Sequence, residues 1–465
     1  MSRLIVSLSP FIGTSGSDLV VGQEDNALLP TIPAIGIEVL KNGVIDTQAG
    51  KDTISGTGTG GGNGFDASTG TGITNSGIIN AGSGDDTISG TGSGGSGYRS
   101  NEPGTGISNT QSGYINGGDG KDLIEGTGTG GDGNIGAITI GIQNTQNSRI
   151  DGGFGNDSIE GTGSGTNAIG ISNTEGSNIN GGEGNDSIKG TGTGGISSTG
   201  GEGTGIFNSG GSNINGEKGN DSIVGIGNGS DAYLEPFRSY DAGRGIGISN
   251  SKGSTIAVGQ GNDYLSGTGT GGEGIYADNP FGNGPEELAS GVGIGIVNSG
   301  TINLGDGNDT LIGTGISQGT GILNTDGIIC EGAGADILTG YGTSVGIQGG
   351  TIDGGNGNDK FKARRIDANG NTVLDLGGAI ADVLIKGGGG DDIFDVGYGN
   401  ATLDGGSGSD KLILSDFKSD YIITGTGSPN NYTIKRDQFT LNVLNVEEIA
   451  FSGVPLQQNV LGTVN

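Results

Sequence analysis

The sequence lacks the side chains on which most enzyme sites are built. It has no histidine and no tryptophan, and only one cysteine and one methionine. Without histidine the chain can form neither a His-Glu-x-x-His zinc site nor a Ser-His-Asp triad. The single Cys330 excludes an internal disulfide, and we interpret it as a small buried residue. We therefore expect a protein that is not an enzyme.

Positive charge and long apolar runs are also scarce. The chain has 20 Lys and Arg against 51 Asp and Glu, a net charge of −31, which excludes a nucleic acid bound through a broad basic surface. No run approaches the roughly 18 apolar residues of a membrane span. Residues 1–13 hold one Arg and a short apolar run broken by Ser, so we predict no cleaved signal peptide. Metal ions are the natural counterpart of this charge.

Bulky residues are replaced by glycine. Aromatic residues make up 5% of the chain, whereas 111 of its 465 residues are glycine. This is too little bulk for large packed globules, and the glycine has no collagen period. A stack of repeats can still be ordered, because each coil buries a thin apolar stripe against its neighbours.

A repeated corner motif supplies that order. It is clearest in GGEGNDSIKGTGTGG at 181–195, where an Asp after three glycines precedes an apolar residue by two positions. The corner aspartates, which recur along the chain, are Asp18, Asp52, Asp86, Asp122, Asp157, Asp186, Asp221, Asp263, Asp309, Asp336, Asp359, Asp392 and Asp410. If they stack about 4.8 Å apart, neighbouring carboxylates repel by about 3 kcal/mol at an effective dielectric near 20. Such a ladder needs cations.

The spacing of the corners selects the architecture. Up to Asp359 the step is usually 34 to 36 residues but ranges from 23 to 46, which breaks the multiples of nine of a simple β-roll. Within each repeat the motifs follow in a constant order: Gly-Ile-x-Asn, x-Ile-Asn, the corner, Ile and Gly-Thr-Gly. The length of the repeat varies after Gly-Thr-Gly. We therefore predict an all-β fold, a right-handed parallel β-helix (β-solenoid) over 1–362, with one repeat of about 35 residues per coil. The recurring Asn of the first strand predicts a hydrogen-bonded ladder that ends where Gly349 replaces it.

The character of the chain changes twice after the long repeats. Tandem nonapeptides such as GGGGDDIFD and GGSGSDKLI place Asp392 and Asp410 18 residues apart, which predicts a short β-roll over 363–413. Residues 414–465 alternate apolar and polar positions, and we predict a small antiparallel β cap. A cap also covers the exposed sheet edge at the end of a solenoid.

The nonapeptide Gly-Gly-x-Gly-x-Asp-x-apolar-x resembles the RTX (hemolysin-type) calcium-binding repeat. The resemblance implies several Ca²⁺ ions bound by the corner aspartates, and a turn that presents carbonyls and a carboxylate offers the oxygen ligands that Ca²⁺ prefers. The backbone carbonyls expected to contribute belong to Gly153, Gly155, Gly182, Gly184, Gly355, Gly357, Gly388, Gly390, Gly406 and Gly408. Asp-Gly turns held by backbone bonds alone are the alternative. Asp52 and Asp221 are weaker candidates because a lysine lies beside each corner.

The resemblance extends to function. The C-terminal segment is similar to the modules that follow RTX arrays in type I secreted proteins, which implies the type I secretion machinery as a partner and a secreted or cell-surface location. We expect a calcium-binding solenoid with a structural or adhesive role at the cell surface or in the extracellular matrix, folding on Ca²⁺ after export.

Two other functions remain open. Outward Thr-x-Thr pairs after the corners resemble the ladders of ice-binding solenoids, although Thr is also simply a good strand residue. A polysaccharide-modifying β-helix enzyme is the second alternative, and its candidate arginines are Arg99, Arg149, Arg238 and Arg244.

Aromatic residues concentrate in two long loops, 228–246 and 271–292. These aromatics are Tyr233, Phe237, Tyr240, Tyr276 and Phe281. Exposed aromatic side chains suit a polysaccharide or a surface protein as partner. Packing of the two loops on each other explains the same residues equally well.

Overall fold

The fold is a parallel β-solenoid, as the repeats predict. A computed structural model describes residues 2–29, 31–63, 65–97, 102–130, 138–197, 200–235, 238–278, 285–373 and 377–453. Within these residues the chain winds in coils of three short strands. Strands of successive coils pair in parallel, forming one sheet of 27 strands and one of 14. The first and second strands of each coil lie in the larger sheet and the third in the smaller.

The strands of the coils repeat in chain order. The first strands span Leu4–Val6, Ala34–Val39, Gly70–Asn75, Gly104–Asn109, Ile138–Asn144, Asn167–Asn173, Gly203–Asn208, Gly245–Asn250, Gly293–Asn298, Thr320–Asn324 and Val345–Gln348. The second strands span Phe11–Ile12, Val44–Asp46, Ile78–Ser83, Tyr114–Asp119, Arg149–Phe154, Asn178–Glu183, Asn213–Lys218, Thr255–Gln260, Thr301–Asp306, Ile328–Cys330 and Thr351–Asp353. The third strands span Leu19–Asp25, Thr53–Thr59, Thr87–Ser93, Leu123–Thr129, Ser158–Gly165, Ser187–Gly194, Ser222–Asn228, Tyr264–Thr270, Thr310–Ile316, Ile337–Gly342, Lys360–Arg365, Ile393–Asp395 and Lys411–Leu414.

The coils shorten toward the C-terminus. The strand Ile380–Gly389 pairs with both the first and the second strand of the preceding coil. It is followed by Asn400–Ser407, which pairs with it in parallel. Asp392 and Asp410 lie on the same edge one turn apart, since the Asp392 N–H donates to Asp410 Oδ1 at 2.9 Å. The 18-residue step therefore makes one turn of two strands.

The core is a thin apolar stripe. Each strand of the coil at 167–194 contributes one central isoleucine, and Ile171, Ile179 and Ile188 are at most 1% exposed. Between them the sheets meet backbone to backbone. A Cβ added to Gly190 would lie 2.2 Å from the carbonyl oxygen of Gly205, so only glycine fits this close approach. The high glycine content is thus a packing requirement.

A second set of inward residues forms the predicted asparagine ladder. Each Asn Nδ2 donates to Oδ1 of the Asn in the next coil at 2.9 Å, in the order Asn75, Asn109, Asn144, Asn173, Asn208, Asn250, Asn298 and Asn324. Most of these amides also donate to two carbonyl oxygens, as Asn173 does to Ser177 and Asn213. The ladder ends at Asn324, which donates to the Thr351 carbonyl. It is buried, neutral and hydrogen-bonded throughout.

The third strands turn a row of threonines outward. Thr57, Thr91, Thr127, Thr162 and Thr191 occupy one register position in successive coils. Each is partly exposed, whereas the glycines on either side are buried. Ile226 interrupts the row in the next coil, as the sequence indicates. The threonine side chains therefore point outward along one face.

The C-terminal cap is only partly the antiparallel unit that the sequence predicts. A short 3₁₀ helix, Lys418–Asp420, precedes an antiparallel meander of Ile422–Gly425, Tyr432–Arg436 and Phe439–Leu444. The last of these strands also pairs in parallel with Asn400–Ser407. The fourth predicted strand, Glu448–Phe451, pairs in parallel with Lys411–Leu414 instead. The reason is that the free edges of both sheets need hydrogen-bond partners, and the cap supplies them.

We predict that Asn173→Ala destabilises the solenoid by about 2 to 3 kcal/mol, because neighbouring buried amide and carbonyl groups lose their partners. The exposed side chain of Asn213, which donates to the Asn178 side chain at the surface, provides the control, and Asn213→Ala should change stability by less than about 0.5 kcal/mol. Urea unfolding followed by circular dichroism measures both. Equal losses for the two variants would contradict a structural role of the ladder.

Candidate cation site along the aspartate ladder

The corner between the second and third strands is built on glycine. In the coil at 167–194, Gly184 has φ = 143°, and a Cβ there would lie 1.6 Å from the Gly155 carbonyl oxygen of the preceding coil. A side chain cannot be accommodated, so the corners stack backbone on backbone. The glycines that the sequence predicts as carbonyl ligands all adopt positive φ: Gly153, Gly155, Gly182, Gly184, Gly355, Gly357, Gly388, Gly390, Gly406 and Gly408.

The corner aspartates form a continuous ladder inside the corner. Each carboxylate accepts, through Oδ1, the backbone N–H of the corner Asp one coil earlier, at 2.6 to 2.9 Å. At the C-terminal end Glu447 takes the place of the next Asp, and its Oε2 accepts the Asp410 N–H at 2.8 Å. At the other end Asp18 accepts the Thr14 N–H at 2.6 Å. The structure therefore brings all the predicted aspartates together in one row.

Apart from Asp18, the second oxygen of each corner carboxylate has no such partner. Within the described residues, Oδ2 is buried without a hydrogen bond in Asp52, Asp86, Asp122, Asp157, Asp186, Asp221, Asp263, Asp309, Asp336, Asp359, Asp392 and Asp410. These residues are at most 4% exposed. A buried acceptor without a donor costs about 1 to 3 kcal/mol, and more when it is charged. The ladder thus leaves a row of oxygens that need a proton or a cation.

Burial shifts the titration of the ladder. Burial is the largest influence and raises the pKa of the carboxyl groups. Neighbouring negative charges raise the pKa further, whereas the hydrogen bond from the backbone N–H lowers it. The pKa is raised to about 6 for Asp86, Asp157, Asp221, Asp336 and Asp392, and to about 7 for Asp122, Asp186, Asp309 and Asp359. Keeping one of these groups charged therefore costs about 3 to 4 kcal/mol relative to water.

The first glycine of the corner motif packs tightly against several of the Oδ2 atoms. A Cβ added to it would lie 2.1 to 2.8 Å from Oδ2 at Gly117, Gly152, Gly181, Gly216, Gly354, Gly387 and Gly405. A side chain would collide with the carboxylate, so glycine is required for this close approach. Backbone carbonyls also line the corner, and each has two lone pairs, so a carbonyl that accepts one hydrogen bond can still bind an ion. Carboxylate and carbonyl oxygens are the ligands that Ca²⁺ takes, so the donor set fits a hard cation.

Larger residues occupy the same position in other coils. Strand register places Val258 and Leu304 there, and both are fully buried. In the following coil the position is occupied by Glu331, which sequence analysis missed. The signal was available in EGAGADILT, where Glu stands for the first glycine of the motif. The repeat alignment alone would have identified a carboxylate pointing inward beside the ladder.

The two aromatic loops form antiparallel hairpins. Tyr233–Glu235 pairs with Arg238–Tyr240, and Ile275–Asp278 pairs with Pro285–Leu288. Their bases lie side by side, because the Ala232 N–H donates to the Glu273 carbonyl at 2.8 Å. Tyr233 is 48% exposed. Phe237 and Phe281 lie outside the described residues, as do the side chains of Tyr240 and Tyr276.

Arg149 and Arg244, the described side chains among the arginines proposed for an enzyme site, make no salt bridge to the ladder. Arg149 contacts Asp151 at 2.5 Å on the outer surface, with its guanidinium 5.8 Å from the centre of the Tyr114 ring. Arg99 and the side chain of Arg238 lie outside the described residues, and Arg244 is partly exposed near the base of the first hairpin. Cys330 is partly buried and free, and burial raises the pKa of its thiol.

We predict that acid favours the folded state in cation-free solution. The folded pKa of groups such as Asp186 is about 7 against an ordinary 3.8, so the folded chain binds protons that the unfolded chain releases. This stabilisation is complete below about pH 4 and is lost as the pH rises through about 7. Asp186→Asn should add about 1 to 4 kcal/mol of stability near pH 8, whereas the exposed control Asp119→Asn should add less than about 0.5 kcal/mol. Urea unfolding at several pH values measures the effect, and stability that rises with pH would refute it.

No helix in the described part of the chain is long and apolar enough to cross a membrane. Comparison with protein-family models and with curated proteins gives no match to this chain.

Proposed function

We propose that the protein is a calcium-binding β-solenoid whose corner aspartates hold a row of Ca²⁺ ions. The observation that carries the proposal is the row of buried Oδ2 atoms without partners along the corner. A ladder that served only to join the coils needs no charge, because the asparagine ladder performs that task with neutral amides. Repeated use of Asp therefore favours a cation as the missing partner.

In this proposal the Oδ2 atoms and the backbone carbonyls of the corner glycines hold the ions. The ion supplies positive charge that offsets the repulsion between stacked carboxylates and their loss of hydration. It binds the folded chain, in which the ligands are assembled, and not the unfolded chain. Calcium binding is then coupled to folding.

The proposed biological role is structural or adhesive, at the cell surface or in the extracellular matrix. The net charge of −31 opposes folding where Ca²⁺ is scarce. The unfolded chain is suited to export through a narrow channel, for which the similarity to type I secreted proteins provides the candidate machinery. The paired hairpins that follow Asn228 and Thr270 are the proposed contact for a polysaccharide or a surface protein.

We predict that the cation-free chain gains β structure cooperatively when Ca²⁺ is added at about neutral pH. The midpoint should fall at about 0.1 to 1 mM, the range of extracellular calcium modules. Circular dichroism measures the transition, with Mg²⁺ as the control ion, since Mg²⁺ demands an octahedral site and loses water reluctantly. A chain already fully β in chelator and unchanged by Ca²⁺ would show the corners to be structural turns.

Ice binding is the second candidate function. It is favoured by the outward row from Thr57 to Thr191, because parallel pairing repeats the threonines at a constant interval along a stiff rod. The partly exposed hydroxyl and methyl groups of such a row form a regular array.

If that array binds ice, Thr127→Lys should abolish inhibition of ice recrystallisation, since a long charged side chain disrupts the array. Thr105→Lys is the matched control, because Thr105 lies in the same coil on the other sheet. Recrystallisation assays on both variants in saturating Ca²⁺ decide the question. An unmodified protein that leaves ice growth unchanged removes this candidate.

A further inference from the structure

Glu331 is a buried carboxylate outside the aspartate ladder. It follows the second strand Ile328–Cys330 and precedes Gly332, which has φ = 104°. Its side chain is 0% exposed, and within the described residues neither Oε1 nor Oε2 has a hydrogen-bond partner. Only its backbone is bonded, through its N–H to the Asp353 carbonyl at 2.9 Å. In the preceding coil the same position holds the buried Leu304, so the fold itself does not require a polar group here.

The Glu331 carboxylate lies against two rungs of the ladder. One carboxylate oxygen from each of Glu331, Asp336 and Asp359 lies within 4.8 Å of the other two. Oδ2 of Asp336 and Oδ2 of Asp359 are themselves without hydrogen-bond partners. The cluster thus joins three buried acidic side chains from two successive coils.

The neighbouring coils have other residues at the register position of Glu331. Leu304 occupies the equivalent position one coil earlier, whereas Gly354 occupies it one coil later. A Cβ at Gly354 would lie 2.5 Å from Asp359 Oδ2 and 3.0 Å from the Phe361 ring. A side chain at Gly354 would therefore collide with the Asp359 carboxylate, so glycine is required where the next coil packs against the cluster.

The charge of the cluster is uncompensated by protein groups. The other charges that act on Glu331 are those of Asp392 and Asp309, the flanking rungs of the ladder. No salt bridge links Glu331 to a lysine or arginine among the described residues. An unpaired buried carboxylate costs several kcal/mol, and a leucine at this position would avoid that cost.

We propose that Glu331, Asp336 and Asp359 bind one divalent hard cation, Ca²⁺, inside the solenoid. Three carboxylate ligands from two coils give this site more charge than a corner with one aspartate and carbonyls, and charge count is one determinant of Ca²⁺ affinity. The ion should therefore be held at lower Ca²⁺ concentrations than the ions of the other corners. This site rests on the proposed function, because it shares Asp336 and Asp359 with the ladder, and it differs from the other corners by its glutamate.

The test compares Glu331→Leu with the unmodified full chain. The variant recreates the leucine of the preceding coil and should fold. Both chains are dialysed against a series of Ca²⁺ buffers, and atomic emission spectroscopy gives the ions bound per chain at the lowest concentration at which circular dichroism shows both chains to be folded. We expect the unmodified chain to hold one ion more than the variant. Leu304→Val, which alters the same position without touching a carboxylate, should bind as many ions as the unmodified chain.

Other outcomes are decisive as well. Equal numbers of ions in the unmodified chain and Glu331→Leu would overturn the proposal, as would an unmodified chain that holds no ion up to millimolar Ca²⁺. If Glu331→Leu fails to give the native circular dichroism spectrum, Glu331→Gln, which keeps the shape and removes the charge, replaces it with the same expectation. Failure of the ladder proposal has a different signature: neither chain then gains further ions up to millimolar Ca²⁺, and the difference of one ion at the lowest of these concentrations persists.

Discussion

The backbone N–H at each corner must find a buried acceptor, and the carboxylate of the next coil provides it. This bond fixes the register of every coil against its neighbour, since a shift of one residue would remove both the acceptor and the inward isoleucine. The positive-φ glycines make the corner tight enough for the bond to reach. Because this corner is rigid, insertions are confined to the opposite end of the third strand, where the two hairpins project. The variable spacing of the repeats is a consequence.

The asparagine ladder and the aspartate ladder both join successive coils through buried hydrogen bonds, but their side chains differ in donors and acceptors. An asparagine amide carries both a donor and an acceptor, so Asn173 receives one bond and donates others along its row. An ionised aspartate carries only acceptors, so Asp186 satisfies an N–H with Oδ1 and leaves Oδ2 unpartnered. The first ladder is complete within the protein, whereas the second is completed by a proton or a cation. Dependence on the solution is therefore built into one corner of the coil.

The sequence predicts the coil well because each residue class has one role in it. The repeat pattern predicts the inward isoleucines, the asparagine ladder and the row of aspartates, because these residues recur at the same positions in successive repeats. Features present in one copy are harder to find. Glu331 occupies a position where most repeats have glycine, and its proximity to Asp336 and Asp359 is revealed only by packing. Glu447 lies outside any repeat, yet it supplies the last rung of the ladder. The parallel pairing of Glu448–Phe451 likewise depends on an edge that alternation of apolar residues does not identify.

The geometry of the ladder also determines how its ligands influence one another. Each corner contacts only the corners above and below it, so neutralising one carboxylate relieves the repulsion on two neighbours. With stacked charges repelling by about 3 kcal/mol per pair at an effective dielectric near 20, this relief exceeds thermal energy several-fold. Folding of one coil also positions the carboxylate that accepts the N–H of the preceding corner, as Asp186 does for Asp157. If cations bind as proposed, binding and folding therefore propagate together along the rod, and a solenoid of weak individual sites responds steeply to cation concentration.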